Sequence, residues 1–249
     1  MFHSFMEQPI RTENPGASFH TTRWTRVCLA KADSEDGRKA MEELCEAYYE
    51  PVHAFLRAAL RDGDDARETS HAFFADLLGE PGRIGRADRE RGRFRSYLLG
   101  AVKHFVFNQR RAGSRLKRGG GSEPVSIEGT EFLELPDART PSPDAAFDLL
   151  WARTVMARGL EALRTEWMAE GRGAFFDAAA GVLSGQVEHG EQMKLAASCQ
   201  MSPDAFRVAV SRLRKRLREC VKAEVSGTLE DPAMVQEEME TLFAVLGGS

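Results

Sequence analysis

Two segments of the chain concentrate arginine and lysine in patterns that suit nucleic acid. In the first, EQMKLAASCQMSPDAFRVAVSRLRKRLRECVKAEV (191–225), a short helix is expected over about 191–199, ending near Gln200 and Met201. Ser202, Pro203 and Asp204 then form a strong helix start: a capping hydroxyl, a proline at the first helical position and an acid beside the free N–H groups. From there Phe206, Val210, Leu213, Leu217 and Val221 recur as one apolar face. At about 100° per residue, Asp204, Val208, Ser211, Arg212 and Lys215 fall on the opposite face, with Arg207 on its flank. Helix, short turn, amphipathic basic helix is the helix-turn-helix order. The second helix of such a motif fits a major groove, where arginine and lysine reach base edges and phosphates. An exposed basic helix in an ordinary bundle has the same pattern, so the segment alone leaves both readings open.

The second segment is RIGRADRERGRFRSYLLGAVKHFVFNQRRAGSRLKR (83–118). A basic loop leads into a helix whose far end carries Asn108, Gln109, Arg110 and Arg111, then Arg115, Lys117 and Arg118. Phe94, Tyr97, Phe105 and Phe107 interleave with the cations, a combination that suits single-stranded or distorted DNA. Phe94 and Phe105 are expected in the core; the pattern leaves Tyr97 and Phe107 open.

Catalytic chemistry finds little support. The chain contains no GxxxxGK[ST], GxGxxG or GxSxG, and no HExxH. Cys28, Cys45, Cys199 and Cys220 lie far apart without a CxxC pair, which excludes a zinc ribbon and a disulfide scaffold. Cys28 and Cys45 read as small buried hydrophobes. His71 stands three residues after Glu68, a spacing that reads as a helix-surface pair, and His104 as a core or DNA-facing side chain. The acidic run 62–65 lacks the closing glutamate of a calcium loop: Phe73 stands there. No catalytic residue, metal site or cofactor is expected.

The cations are hidden in the whole-chain sum. Net charge is −4 over 249 residues, yet 83–118 holds 12 basic and 2 acidic residues, and 207–222 holds 7 and 1. The last 27 residues hold 6 acids and no base. Local fields therefore matter more than the total.

These segments must be held by helices. Met41, Leu44/Cys45, Tyr48, Val52, Phe55/Leu56 and Ala59 form one stripe; Ala66, Thr69/Ser70, Phe73 and Leu77 a second; Phe94, Leu98, Ala101/Val102 and Phe105 a third. Asp64 or Asp65 is a candidate cap for the second. Helical spacing resumes at Asp144 through Phe147, Leu150/Trp151, Thr154/Val155, Leu160 and Leu163, and again over about 173–183. No alternating β-branched run or hairpin turn is found, so the fold class is all-α. Residues 119–143 hold four prolines and four glycines and read as a flexible linker between two helical domains that move relative to each other. Residues 184–190 read as a turn. The boundaries expected are a tail at 1–20, a domain at 21–118, the linker at 119–143, a domain at 144–225 and an acidic helix at 226–249. In that last helix Asp231 and Pro232 mark a start, and Met234 or Val235, Met239, Leu242 and Leu246 share an apolar face. That helix either completes a small core or holds the cationic faces closed. No apolar stretch reaches the ~18 residues that would span a membrane. The polar breaks near the N-terminus are unlike a signal peptide, and a cytoplasmic location is expected.

Both cationic segments together, split by the linker, resemble the extracytoplasmic-function (ECF) class of sigma-70-family RNA polymerase sigma factors. The resemblance covers roughly residues 21–225. It rests on DDARETSHAFFADLL (64–78), similar to region 2.2; RGRFRSYLLGAVKHFVFNQRR (91–111), similar to regions 2.3–2.4; and MSPDAFRVAVSRLRKRLRE (201–219), similar to the region 4.2 helix-turn-helix. The opening FHTTRWTRV and the acidic C-terminal helix resemble a subgroup with extended ends.

The resemblance implies a sigma factor that binds core RNA polymerase and directs promoter recognition. The family's D-L-x-Q-E pattern, which meets the clamp helices of the polymerase β′ subunit, falls on Glu68, Thr69, Ser70, His71 and Ala72. Here His71 and Ala72 replace the glutamine and the second acid. Reading of the −10 element and strand opening map to 83–93, ending in Arg93, and to Lys103, Asn108, Arg110 and Arg111. Reading of the −35 element maps to Arg207, Ser211, Arg212 and Lys215. Region 4 also implies contact with the polymerase β flap, and an anti-sigma factor or other regulator is a further partner. The alternative is a helix-turn-helix regulator that binds duplex DNA without joining the polymerase. An anti-sigma or adaptor protein that mimics sigma contacts is disfavoured by the cations of 83–118.

Overall fold

The computed structural model describes residues 34–60, 63–79, 93–117, 141–183, 189–229 and 231–248. Eight α-helices occur among them: α1 (Glu35–Leu60), α2 (Gly63–Leu78), α3 (Phe94–Lys117), α4 (Pro143–Ala169), α5 (Gly173–Leu183), α6 (His189–Ser198), α7 (Pro203–Ser226) and α8 (Val235–Gly247). No strand occurs among the described residues, and the chain is all-α. No described helix is long and apolar enough to cross a membrane. The expected tail 1–20, the basic loop as far as residue 92, the turn at 184–188 and the linker as far as residue 140 lie outside the described residues.

The stripes read from the sequence are the buried ones. Leu44, Tyr48, Val52, Phe55 and Leu56 of α1 pack with Ala66, Phe73 and Leu77 of α2 and with Phe94, Leu98, Val102 and Phe105 of α3. Edge-to-face rings tie the three helices, Tyr48 to Phe94 at 5.2 Å and Phe73 to Phe105 at 5.6 Å between centroids. Pro51 sits inside α1, where its ring removes a backbone donor. α2 begins at Gly63, so Asp64 and Asp65 are not caps: they lie in the first turn, the positive end of the helix dipole.

α4 is the spine. Ser142 caps it, its hydroxyl accepting from the Ala145 N–H at 3.2 Å, and Pro143 opens it. The N-terminal half of α4 puts Phe147, Trp151, Ala152 and Val155 into the core built by α1, α2 and α3. Its C-terminal half puts Leu163 and Trp167 into a second core with Phe176, Ala179 and Val182 of α5, Ala196 of α6, and Phe206, Val210 and Leu213 of α7. α7 runs antiparallel to this division of labour. Its start belongs to the second core, and its end, Val221 and Val225, belongs to the first. Val235, Met239 and Leu242 of α8 complete the first core. The helices on the two sides of 119–143 therefore share one hydrophobic core.

Candidate nucleic-acid interface

The helix-turn-helix is built by two helix ends. α6 stops in a Schellman turn. The Met201 N–H donates to the Ala196 carbonyl at 2.9 Å and the Gln200 N–H to Ala197 at 3.0 Å. This places Gln200 at φ +55°, a left-handed conformation that usually falls to glycine. α7 starts immediately after: the Ser202 hydroxyl accepts from the Ala205 N–H at 3.2 Å, with Pro203 and Asp204 in the first turn, as the sequence leads one to expect.

Burial of Phe206, Val210 and Leu213 then fixes which way α7 faces. Arg207, Ser211, Arg212 and Lys215 are all exposed on the other side, so all four −35 candidates share one solvent face. Arg207 is held by Asp204 one turn earlier, at 3.2 Å. Val208 lies on the same face and is 48% exposed, an apolar side chain among cations. Three arginines further along α7 serve the scaffold. Arg214 donates to the Val182 carbonyl at 2.8 Å. Arg216 grips both carboxylate oxygens of Glu166 at 3.0 Å and Glu219 at 2.8 Å. Those two acids hold its pKa above the ordinary arginine value. Arg218 lies 5.5 Å from the Phe243 ring of α8.

The −10 candidates are less uniform. Asn108, Arg110 and Arg111 are exposed at the far end of α3. Asn108 bonds His104 at 3.1 Å, Arg110 donates to the Ala59 carbonyl at 3.1 Å, and Arg111 stands 5.7 Å from the centre of the 42%-exposed Phe107 ring. Tyr97 is half-buried against the core. Lys103 and Arg93 are engaged by acids from the C-terminal half of the chain. Lys103 Nζ meets Asp144 of α4 at 2.5 Å. Arg93, just before α3, sends Nη2 to Glu237 at 2.7 Å and Nη1 to Glu238 at 3.2 Å, both on α8.

Sequence reasoning missed the hub beside Arg93. Arg95 is buried, and its Nε and Nη2 donate to the two oxygens of Glu238 at 2.9 and 3.1 Å. Its Nη1 reaches Asp148 of α4, and its guanidinium lies 4.4 Å from the centre of the Trp151 ring. Burial works against the charge, but Glu238 and Asp148 outweigh it and hold the Arg95 pKa above its ordinary value. Glu238 itself is completely buried. A signal was present: Val235, Glu238, Met239 and Leu242 follow i, i+3, i+4, i+7 spacing, so an acid stands inside an apolar stripe.

The polymerase-docking candidates lie on α2. Glu68 and His71 are exposed, and Ala72 is half-buried against the first core. His71 pairs with the Tyr49 hydroxyl across to α1 at 3.1 Å, rather than with Glu68. Among the described residues no group of three histidine, cysteine or acid side chains could hold a metal. Burial, then nearby glutamates, raises the Cys45 thiol pKa; at Cys220 burial likewise leads. Raised thiols are protonated and poor nucleophiles. No protein-family model, curated protein or solved structure matches the chain.

Proposed function

We propose that the chain is an ECF-type sigma factor. It binds core RNA polymerase, presents α7 to the −35 element, and uses α3 with the basic loop before it at the −10 element. The observation that carries this reading is the exposed face of α7. Arg207, Val208, Ser211, Arg212 and Lys215 project from a capped helix that follows α6 through a tight turn. Cations there reach phosphates and guanine edges, and an apolar side chain suits a thymine methyl group. α2, with Glu68, His71 and Ala72, is the proposed seat of the β′ clamp helices, and the body around α7 that of the β flap. On this reading 21–118 and 144–225 are the two modules, joined by the linker 119–143. The protein acts in the cytoplasm, without a cofactor, and the polymerase performs the catalysis.

Run-off transcription with core RNA polymerase on a library of genomic fragments tests the reading. Transcripts that start at common promoter motifs, and only with the protein present, are the expected result. A duplex-binding regulator is favoured by one observation: two of the five −10 candidates, Arg93 and Lys103, are occupied by acids. That reading expects tight, sequence-specific duplex binding by the protein alone and no transcripts.

A further inference from the structure

Arg93 and Arg95 stand at the N-terminus of α3, the positive end of its dipole, where cations are disfavoured and an anion is favoured. The anions there come from far downstream, Glu238 lying 143 residues after Arg95. Glu237 and Glu238, in the first turn of α8, take both terminal nitrogens of Arg93, and Glu238 also takes two nitrogens of Arg95. Carboxylates thus occupy the place and the donors that a phosphate would use.

We propose that α8 is an internal substitute for the DNA backbone, covering the Arg93 end of α3 until single-stranded DNA displaces it. This rests on the proposed role of α3 in binding DNA. Three features make the cover removable. α8 has 13 residues, too few to be a stable helix by itself, so its order depends on docking. Glu237 is 67% exposed, so its pair with Arg93 is open to water and to competing ions. Arg93 Nε is buried without a hydrogen-bond partner, so the glutamates satisfy this guanidinium only in part. Because α8 is tethered to α7 through 227–234, it competes as an intramolecular ligand at high effective concentration. Weak contacts can then keep the face covered in the free protein.

The test is binding of fluorescein-labelled oligothymidylate to the full chain at one ionic strength, with thermal melting followed in parallel. Glu237→Arg repels Arg93 while leaving the buried core alone. Glu240→Arg adds the same charge to α8 without touching Arg93. Deletion of 230–249 removes the cover completely, whereas Glu238→Gln weakens it but leaves Glu237 on Arg93. The expected result is roughly a tenfold gain in affinity for Glu237→Arg over Glu240→Arg, equivalent to about 1.4 kcal/mol. The deletion should gain at least as much, and adding Arg93→Glu should abolish either gain. Equal affinity of Glu237→Arg and Glu240→Arg, both melting like the parent, overturns the proposal. So does a deletion variant that melts lower without binding more tightly, since α8 would then only complete the core. Failure of the transcription assay with a preserved Glu237→Arg gain would instead sink the sigma-factor reading and leave the cover standing.

Discussion

Gly159 of α4 and Val221 of α7 touch so closely that a β-carbon on Gly159 would lie 2.6 Å from Val221 Cγ2 and 3.1 Å from its Cα. Real β-carbons do not approach that near, and part of the obstruction is backbone. The contact marks where α4 and α7 pass from one core to the other. An interior glycine costs a helix about 1 kcal/mol relative to alanine, so its presence in α4 is bought by the crossing. Gly159→Ala should therefore lower stability despite the better helix former, by about 1–3 kcal/mol as an overpacked site. Val221→Ala in the same chain should return part of the loss. Urea unfolding of the two single variants and the double variant measures both effects, and additive losses would show that the two residues do not meet.

Gln200 carries a left-handed backbone between α6 and α7. Gln200→Gly should stabilise the free protein by up to about 1 kcal/mol, because glycine meets no Cβ penalty there. Gln200→Val should destabilise it, since a β-branched side chain is still less tolerant of positive φ. A melting temperature that falls for glycine and rises for valine would mean that the turn is not built this way.

The periodic positions were legible, and the partnerships were not. Tyr48, Val52, Phe94, Leu98, Phe147 and Trp151 are buried as their spacing requires, because amphipathic periodicity is a local property of one helix. The cap at Ser202 was legible for the same reason. Which stripe packs on which depends on residues far apart in the chain. The prolines and glycines of 119–143 suggest two independent halves, yet Phe147 and Trp151 lie in the core of Tyr48 and Phe55. Arg93, Arg95 and Lys103 all counted as cations of a basic run. Their separate fates depend on Glu237, Glu238, Asp148 and Asp144, which local pattern does not bring near. Exposed Arg207 and Arg212 needed no such partner, and their face followed from the stripe behind it.

Arg207→Ala with Arg212→Ala should depress initiation at promoters that need a −35 element, while core binding is retained. Each lost contact is expected to cost about 1–3 kcal/mol if it reads a base, and less if it meets only phosphate. Run-off transcription beside a core-binding assay separates the two steps. Val208→Ser adds a finer readout: preference for thymine over uracil at one promoter position should shrink, since the thymine methyl loses its apolar neighbour. Undiminished −35-dependent transcription by the arginine double variant would contradict the assignment of α7.

The buried pair Arg95–Glu238 predicts an asymmetry in stability. Arg95→Met leaves Glu238 inside the protein with Arg93 as its remaining cation, and Glu238→Leu leaves Arg95 with Asp148 alone. Removing one member of a buried ion pair typically costs about 3–5 kcal/mol, because the other charge stays desolvated. The neighbours that remain here should hold each single loss toward the lower end. The double variant Arg95→Met/Glu238→Leu removes both desolvated charges and keeps apolar volume between α3, α4 and α8. It should be more stable than either single variant. The same double variant should also loosen the hold on Arg93, whose only surviving carboxylate is the exposed Glu237. Urea unfolding of the parent, the two single variants and the double gives the coupling energy directly. A double variant no better than the sum of the singles would mean that Arg95 and Glu238 are each held by something other than one another.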